Sequence, residues 1–262
     1  MKTWKDNITF VLVGPREPGN IGASARALKN MGFSRLSLVN PVALTDETKW
    51  FAHNSLDILK TATAHASLDD AICDNAIIAG TTRRKGKSRG LIYPVRQGVR
   101  QLYSMARENK VAILFGREDR GLFNDEVEEC GFLLSIPADN RHPSLNLAQA
   151  VLIVAYELSR AEYEGAGSEQ QPEECAARLV PHKELQLLYM RISETLKLLQ
   201  YIPAGDRDIE RKIMANLKHF IGRAGITEWE LGMMHGICTR IELRLEDAKT
   251  ACPKRIKPYT KE

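Results

Sequence analysis

The sequence predicts an α/β protein, a parallel β-sheet with helices on both faces through about residue 164, followed by a small all-helical C-terminal extension. Three observations carry this. Short, continuously apolar runs of strand length recur at residues 8–13, 36–39, 76–79, 111–115 and 132–136, which is the pattern of strands buried on both faces. Helix-length segments separate them, as in βα units. Beyond residue 164 no such run recurs, and the apolar residues switch to helical spacing.

Taken in order, residues 8–13 form the first strand and lead into GPREPGNIGASARALKNMGF. Pro15, Pro18 and Gly19 mark a loop, and a helix runs from about Asn20 to Met31 with Gly32 as its stop. The second strand closes on Asn40-Pro41, and residues 50–66 read as one helix. The third strand ends at Gly80. Pro94 opens a helix through about residue 108, and the strand 111–115 closes on Gly116. After the fifth strand, Asn146 is a good N-cap with Gln149 three residues on, as in a capping box. The helix that follows, LAQAVLIVAYEL, is apolar around nearly its whole circumference and needs cover from its own domain or from a second subunit. In open parallel sheets ligands lie beyond the C-terminal strand ends, so the loops starting at Gly14, Gly80, Gly116 and Pro137 should converge on a site.

The segment after Glu164, GAGSEQQPEE, has linker composition and divides the chain into residues 1–164, a linker at 165–177 and an extension at 178–262. In the extension Leu185, Leu188, Tyr189, Ile192, Leu196 and Leu199 share one helical face. A second face holds Ile209, Ile213, Leu217 and Phe220, and a third Leu231, Met234, Cys238, Ile241 and Leu245. Thr227 and Glu230 make a capping box for the last helix. The extension could dimerise, recruit substrate, or simply pack on the first domain.

Composition narrows the class. The chain has 262 residues, 44% hydrophobic and 27% charged, with a net charge of +4. That suits a folded globular protein and permits nucleic-acid binding without requiring it. No apolar run reaches the roughly 18 residues of a bilayer span, and MKTWKDNITF has no signal-peptide pattern, so a cytoplasmic location without membrane contact is expected. Five dispersed cysteines and six scattered histidines fit neither a disulfide framework nor a structural zinc site, and no metal is expected. Five of the seven residues in Arg83–Arg89, RRKGKSR, are basic. Such runs are often only solvated loops.

Two apparent phosphate motifs fail on spacing. Gly19-x-x-Gly22 lacks the dinucleotide GxGxxG order, and Gly80-TTRRK-Gly86-Lys87-Ser88 has five intervening residues where a P-loop has four. Taken singly, Asn20 reads as a helix-start residue, Arg26 as a surface arginine and Glu118 as a partner for Arg117 or Arg120. Taken together, Asn20-Ile-Gly-Ala-Ser-Ala-Arg26, Phe115-Gly-Arg-Glu-Asp-Arg-Gly-Leu122 and Pro143-Ser-Leu-Asn-Leu-Ala-Gln-Ala-Val151 each follow a strand. In that order they resemble the three signature motifs of the TrmH branch of the SPOUT superfamily of RNA methyltransferases, and the match covers about residues 8–160.

The resemblance implies a deep trefoil knot, bound S-adenosylmethionine, an obligate homodimer and tRNA as partner. The finer spelling and the helical extension look most like the members that methylate the ribose 2′-hydroxyl of nucleotide 32, C or U, in the tRNA anticodon loop. Positions 18 or 34, ribosomal RNA, or a non-catalytic knotted RNA-binding protein are the competing readings. By the same resemblance Arg26 would activate the ribose hydroxyl. Asn20 would position it, Glu118 would fix the second motif, and Ser144 and Asn146 would hydrogen-bond in the ribose pocket. A guanidinium stays protonated, so orienting or electrostatic roles suit Arg26 as well as base catalysis. Cofactor contacts are expected at Thr81, Gly116, Ile136, Ser144 and Leu145. RNA contacts are expected at Arg83, Arg84, Lys85, Lys87 and Arg89. Those relatives carry spaced arginines where this chain has RRKGKSR, and Arg84 is the nearest match.

Overall fold

The computed structural model describes residues 3–84, 90–139, 141, 144–166, 177–202 and 207–251. Seven parallel strands form one sheet: β1 (Ile8–Val13), β2 (Leu36–Val39), β3 (Thr63–His65), β4 (Ile77–Thr81), β5 (Ile92–Pro94), β6 (Val111–Phe115) and β7 (Phe132–Ser135). Their spatial order is β3-β2-β1-β6-β4-β7-β5, every pairing parallel. Side chains alternate across β1: Ile8, Phe10 and Leu12 enter one core, Val11 and Val13 the other. The larger core is roofed by α1 (Pro18–Asn30), α5 (Val95–Ala106) and α7 (Leu147–Ala166). The opposite core holds Ile72 of α4 (Leu68–Ile72) and Val127 of α6 (Asn124–Glu128).

Two readings of the sequence are corrected. The single helix expected over 50–66 is α2 (Asp46–Ala52), a 3-10 turn at His53–Ser55, α3 (Leu56–Thr61) and then strand β3. Thr45 starts the segment early through reciprocal hydrogen bonds with Thr48. His53 then takes a left-handed conformation, φ 50°, which no helix continues through. The other unread strand, β5, lies at the sheet edge, where Pro94 lacks an N–H that nothing needs.

The extension is α8 (His182–Leu198), α9 (Arg207–Gly222) and α10 (Glu228–Ala251). Leu185, Leu188, Tyr189 and Ile192 are buried as expected, but Leu199 is exposed. On α9 the inward residues are Met214, Leu217 and Ile221, whereas Phe220 is 67% exposed. The extension is sewn to the sheet domain. The His182 and Lys183 amides donate to the Asn75 and Cys73 carbonyls, and the Asn109 side chain holds the backbone at Ala177 and Leu179. Gly131 and Gly222 meet backbone to backbone, where a Cβ on Gly131 would run into the Gly222 carbonyl.

Glu129 is the polar centre of this seam. It accepts from Gln186 at 2.9 Å and from Lys218, with His182 Nε2 at 3.2 Å. Burial pushes its carboxyl up, but the His182 hydrogen bond and the Lys218 ammonium outweigh this and hold it below its ordinary value. Cys73, Cys130 and Cys238 are free thiols.

Candidate active site

The ends of β4, β6 and β7 open into a cleft. Its walls are Thr81 to Arg84 after β4, Phe115 to Leu122 after β6, and Ile136, Ser144, Leu145, Leu147 and Ala150 around the entry to α7. The turn after β6 is tight: Arg117 and Gly121 exchange backbone hydrogen bonds, and Gly121 has φ +69°. Gly116 has to be glycine, because a Cβ there would collide with the backbone of Gly121 and Leu122. The Thr81 hydroxyl donates to the Leu114 carbonyl at 3.0 Å. Behind the turn, Arg117 grips both Glu126 oxygens at 2.9 and 3.0 Å in a nearly buried pair, and Glu126 also accepts the Phe123 amide at 2.7 Å. Below it, burial pushes the Cys130 thiol far up, with the Glu129 and Glu126 charges adding to the effect, so this sulfur is an inert packing group.

Beside the cleft one hydrogen-bond chain joins three segments far apart in sequence. Asn146 Nδ2 donates to Asn20 Oδ1 at 2.8 Å, and Asn20 Nδ2 donates to Glu118 Oε1 at 2.9 Å. Glu118 also accepts the Arg16 amide on Oε2 at 3.1 Å and the Glu17 amide on Oε1 at 3.3 Å. Donors thus reach both of its oxygens at the positive start of α1, which suits a carboxylate and no other side chain of its length. The other end of the Asn146 amide caps α7, accepting from Ala148 at 2.9 Å, while Gln149 closes the capping box at 3.3 Å.

Residues 7–156, which hold the whole sheet, the cleft and this hydrogen-bond chain, match the SpoU rRNA Methylase family. The chain belongs to the SpoU methylase family. Among its relatives, the tRNA (cytidine/uridine/adenosine-2′-O-)-methyltransferase TrmJ of Pseudomonas aeruginosa is 33% identical over 90% of this chain and 94% of its own length. The tRNA (cytidine/uridine-2′-O-)-methyltransferase TrmJ of Pectobacterium atrosepticum is 35% identical over 90% of this chain and 97% of its own. The solved structure of TrmJ from Zymomonas mobilis superposes with a TM-score of 0.74 at 27% identity, covering 89% of this chain and 98% of that one. These alignments take in the helical extension as well as the SpoU domain.

Within the SpoU domain the sequence-named residues fall into four groups. Thr81, Arg83, Arg84, Gly116, Glu118, Ile136, Ser144 and Leu145 all line the cleft. Asn20 and Asn146 stand beside it, joined to it through Glu118. Arg26 is exposed on α1 and is not part of the cleft wall. Lys85, Lys87 and Arg89 lie outside the described residues. Sequence reasoning missed the Arg117–Glu126 clamp, nine residues apart with Glu126 on an unread short helix, and the apolar wall of Leu122, Leu134, Leu147 and Ala150. Glu126 carried one signal: it lies three residues after Phe123, the spacing at which a carboxylate reaches back to a helix-start amide. Among the described residues no helix is long and apolar enough to cross a membrane.

Proposed function

We propose that the protein methylates a ribose 2′-hydroxyl of tRNA with S-adenosylmethionine, at nucleotide 32 of the anticodon loop. The observation that carries the reading is the Asn146–Asn20–Glu118 chain, which locks the three strand-end motifs around one cleft. The names of the TrmJ relatives, aligned over nine-tenths of this chain, supply the reaction and the substrate class.

The cleft fits the cofactor chemically. Leu134, Ile136, Leu145, Leu147 and Ala150 offer an apolar wall for an adenine ring, and the strand-end loops bring backbone amides and carbonyls to its edge. Thr81, Gly116, Ile136, Ser144 and Leu145 would hold it. When bound, it supplies a methyl group on a sulfonium centre, open to in-line attack by an oxygen.

The remaining work belongs to the chain. Glu118 fixes the start of α1, and Asn20 positions the ribose or Arg26. Arg26 orients the hydroxyl and stabilises the charge that develops as its proton passes to a substrate phosphate. Ser144 and Asn146 border the ribose, and Arg83 and Arg84 meet phosphates at the cleft mouth. The protein acts in the cytoplasm as a homodimer. Leu152, Tyr156 and Tyr163 lie exposed along one stripe of α7, where a second copy would cover them. The domain spans 1–164 with a trefoil-knotted path, a linker covers 165–177, and the extension is 178–262.

Calorimetry with S-adenosylmethionine tests the cleft. Wild type should bind one cofactor per chain, and Gly116→Ala should bind none. Equal affinity in the two proteins would refute the assignment.

A further inference from the structure

The cleft continues past its mouth. Arg84, Arg120 and Leu122 line both the cleft and a second hollow that passes over Phe123 to Asp125 and reaches Arg211 of α9. Asn124 and Arg211 belong in turn to a third, open hollow of about 680 Å³ between α6, Gly90–Leu91 and the outer face of α9. Shared residues at both junctions make this one channel, running from the site of chemistry onto the extension. Open to solvent and running from one element to the next, it suits an extended polymer.

The charge of the channel favours an anion. Along the two outer hollows, five cations (Arg84 and Arg120, shared with the cleft, and Arg211, Lys212 and Arg223) face three carboxylates (Asp125, Glu128 and Asp208). Arg211 is held in place by Glu128 at 2.8 Å. From Arg211 to the end of α9 at Gly222, next to Arg223, the helix runs about 16 Å at about 1.5 Å per residue, long enough to follow several phosphates. Phe220 stands among these cations with its ring 67% exposed and the Arg223 guanidinium 5.6 Å from the ring centre. Ile221 fills the core position that helical periodicity assigned to Phe220, so folding does not require this ring. An exposed aromatic ring between cations along a groove is the usual platform for a nucleic-acid base.

We propose that this channel seats the RNA strand flanking the target nucleotide, with Lys212 and Arg223 on its phosphates and Phe220 under a base. The extension of the same chain would then help to set which nucleotide reaches the cleft. The inference rests on the RNA methyltransferase reading.

The test is the affinity of the full-length protein for a tRNA transcript, measured by fluorescence anisotropy across a KCl series. Lys212→Ala/Arg223→Ala should weaken binding about tenfold at 0.1 M salt and flatten the salt slope by about 1.4 to 1.8, the release from two phosphates. Phe220→Ala should weaken binding about tenfold with the slope unchanged. Lys212→Arg/Arg223→Lys should behave as wild type, and thermal melting and cofactor binding should be unaltered in all three. Wild-type affinity and slope in the alanine variants would overturn the proposal. So would loss in the charge-preserving variant equal to that in Lys212→Ala/Arg223→Ala, because charge would then not be the cause. Displacement of tRNA by poly-glutamate as readily as by poly(U) would reassign the channel to an acidic protein. If wild type binds no RNA at all, the methyltransferase reading itself fails, a result distinct from unchanged variants of an RNA-binding wild type.

Discussion

Asn146 does two jobs because its amide has an acceptor end and a donor end. The acceptor caps α7 and the donor reaches Asn20. Asn146→Asp keeps the first and loses the second, so it should melt within about 0.5 kcal/mol of wild type, while Asn146→Ala should lose about 1 kcal/mol. Both should lose methyl transfer, and an active Asn146→Asp enzyme would show that the link to Asn20 is dispensable. Glu118→Gln should be as damaging as Glu118→Ala, because the new NH2 group would face an N–H donor whichever way the amide turned; kcat for the two variants decides this. Arg26→Ala should lower kcat at least about 100-fold with cofactor affinity unchanged, and full activity would remove Arg26 from the chemistry. At this scale the sequence showed residue types and order but not the bonds. Nothing in Asn20 or Asn146 alone says that their amides meet across 126 positions.

Elements were legible where apolar runs are continuous and hidden where a single residue overrides local preference. The five buried strands were readable because both faces of each are covered. Strands β3 and β5 are edge strands of three residues, too short and too exposed to leave a pattern. The outward turn of Phe220 was hidden for a similar reason, since adjacent Phe and Ile compete for one inward position and packing against α8 decides. The seam at Glu129 gives a prediction for whole elements. Its carboxyl is held low in the folded protein, so its contribution is present above the ordinary carboxylate pKa of about 4.5 and is lost as pH falls through the lower folded value. Acid below about pH 4.5 should therefore loosen the extension from the sheet domain before neutral-pH denaturation would. Glu129→Gln should cost about 1–3 kcal/mol at pH 7 and flatten that acid limb, as followed by Trp229 fluorescence and circular dichroism. An unchanged acid limb in Glu129→Gln would contradict the role given to this group.

As a whole molecule the chain is a SpoU domain with an extension fixed to its flank, and α7 carries an exposed stripe of Leu152, Tyr156 and Tyr163. Leu152→Glu/Tyr156→Glu should convert a dimer into a monomer in sedimentation velocity without lowering helicity, and a wild-type monomer would refute the homodimer. Fold class and extension were readable from periodicity, whereas the chemistry came from three short motifs whose meeting point only the folded chain displays. The most direct measurement is to incubate the protein with methyl-labelled S-adenosylmethionine and total tRNA from a strain lacking it, then map the labelled nucleotide. Label on the ribose 2′-oxygen of nucleotide 32, lost in Arg26→Ala, is the expected result. Label on a base, on another nucleotide such as 18 or 34, or none at all would contradict it.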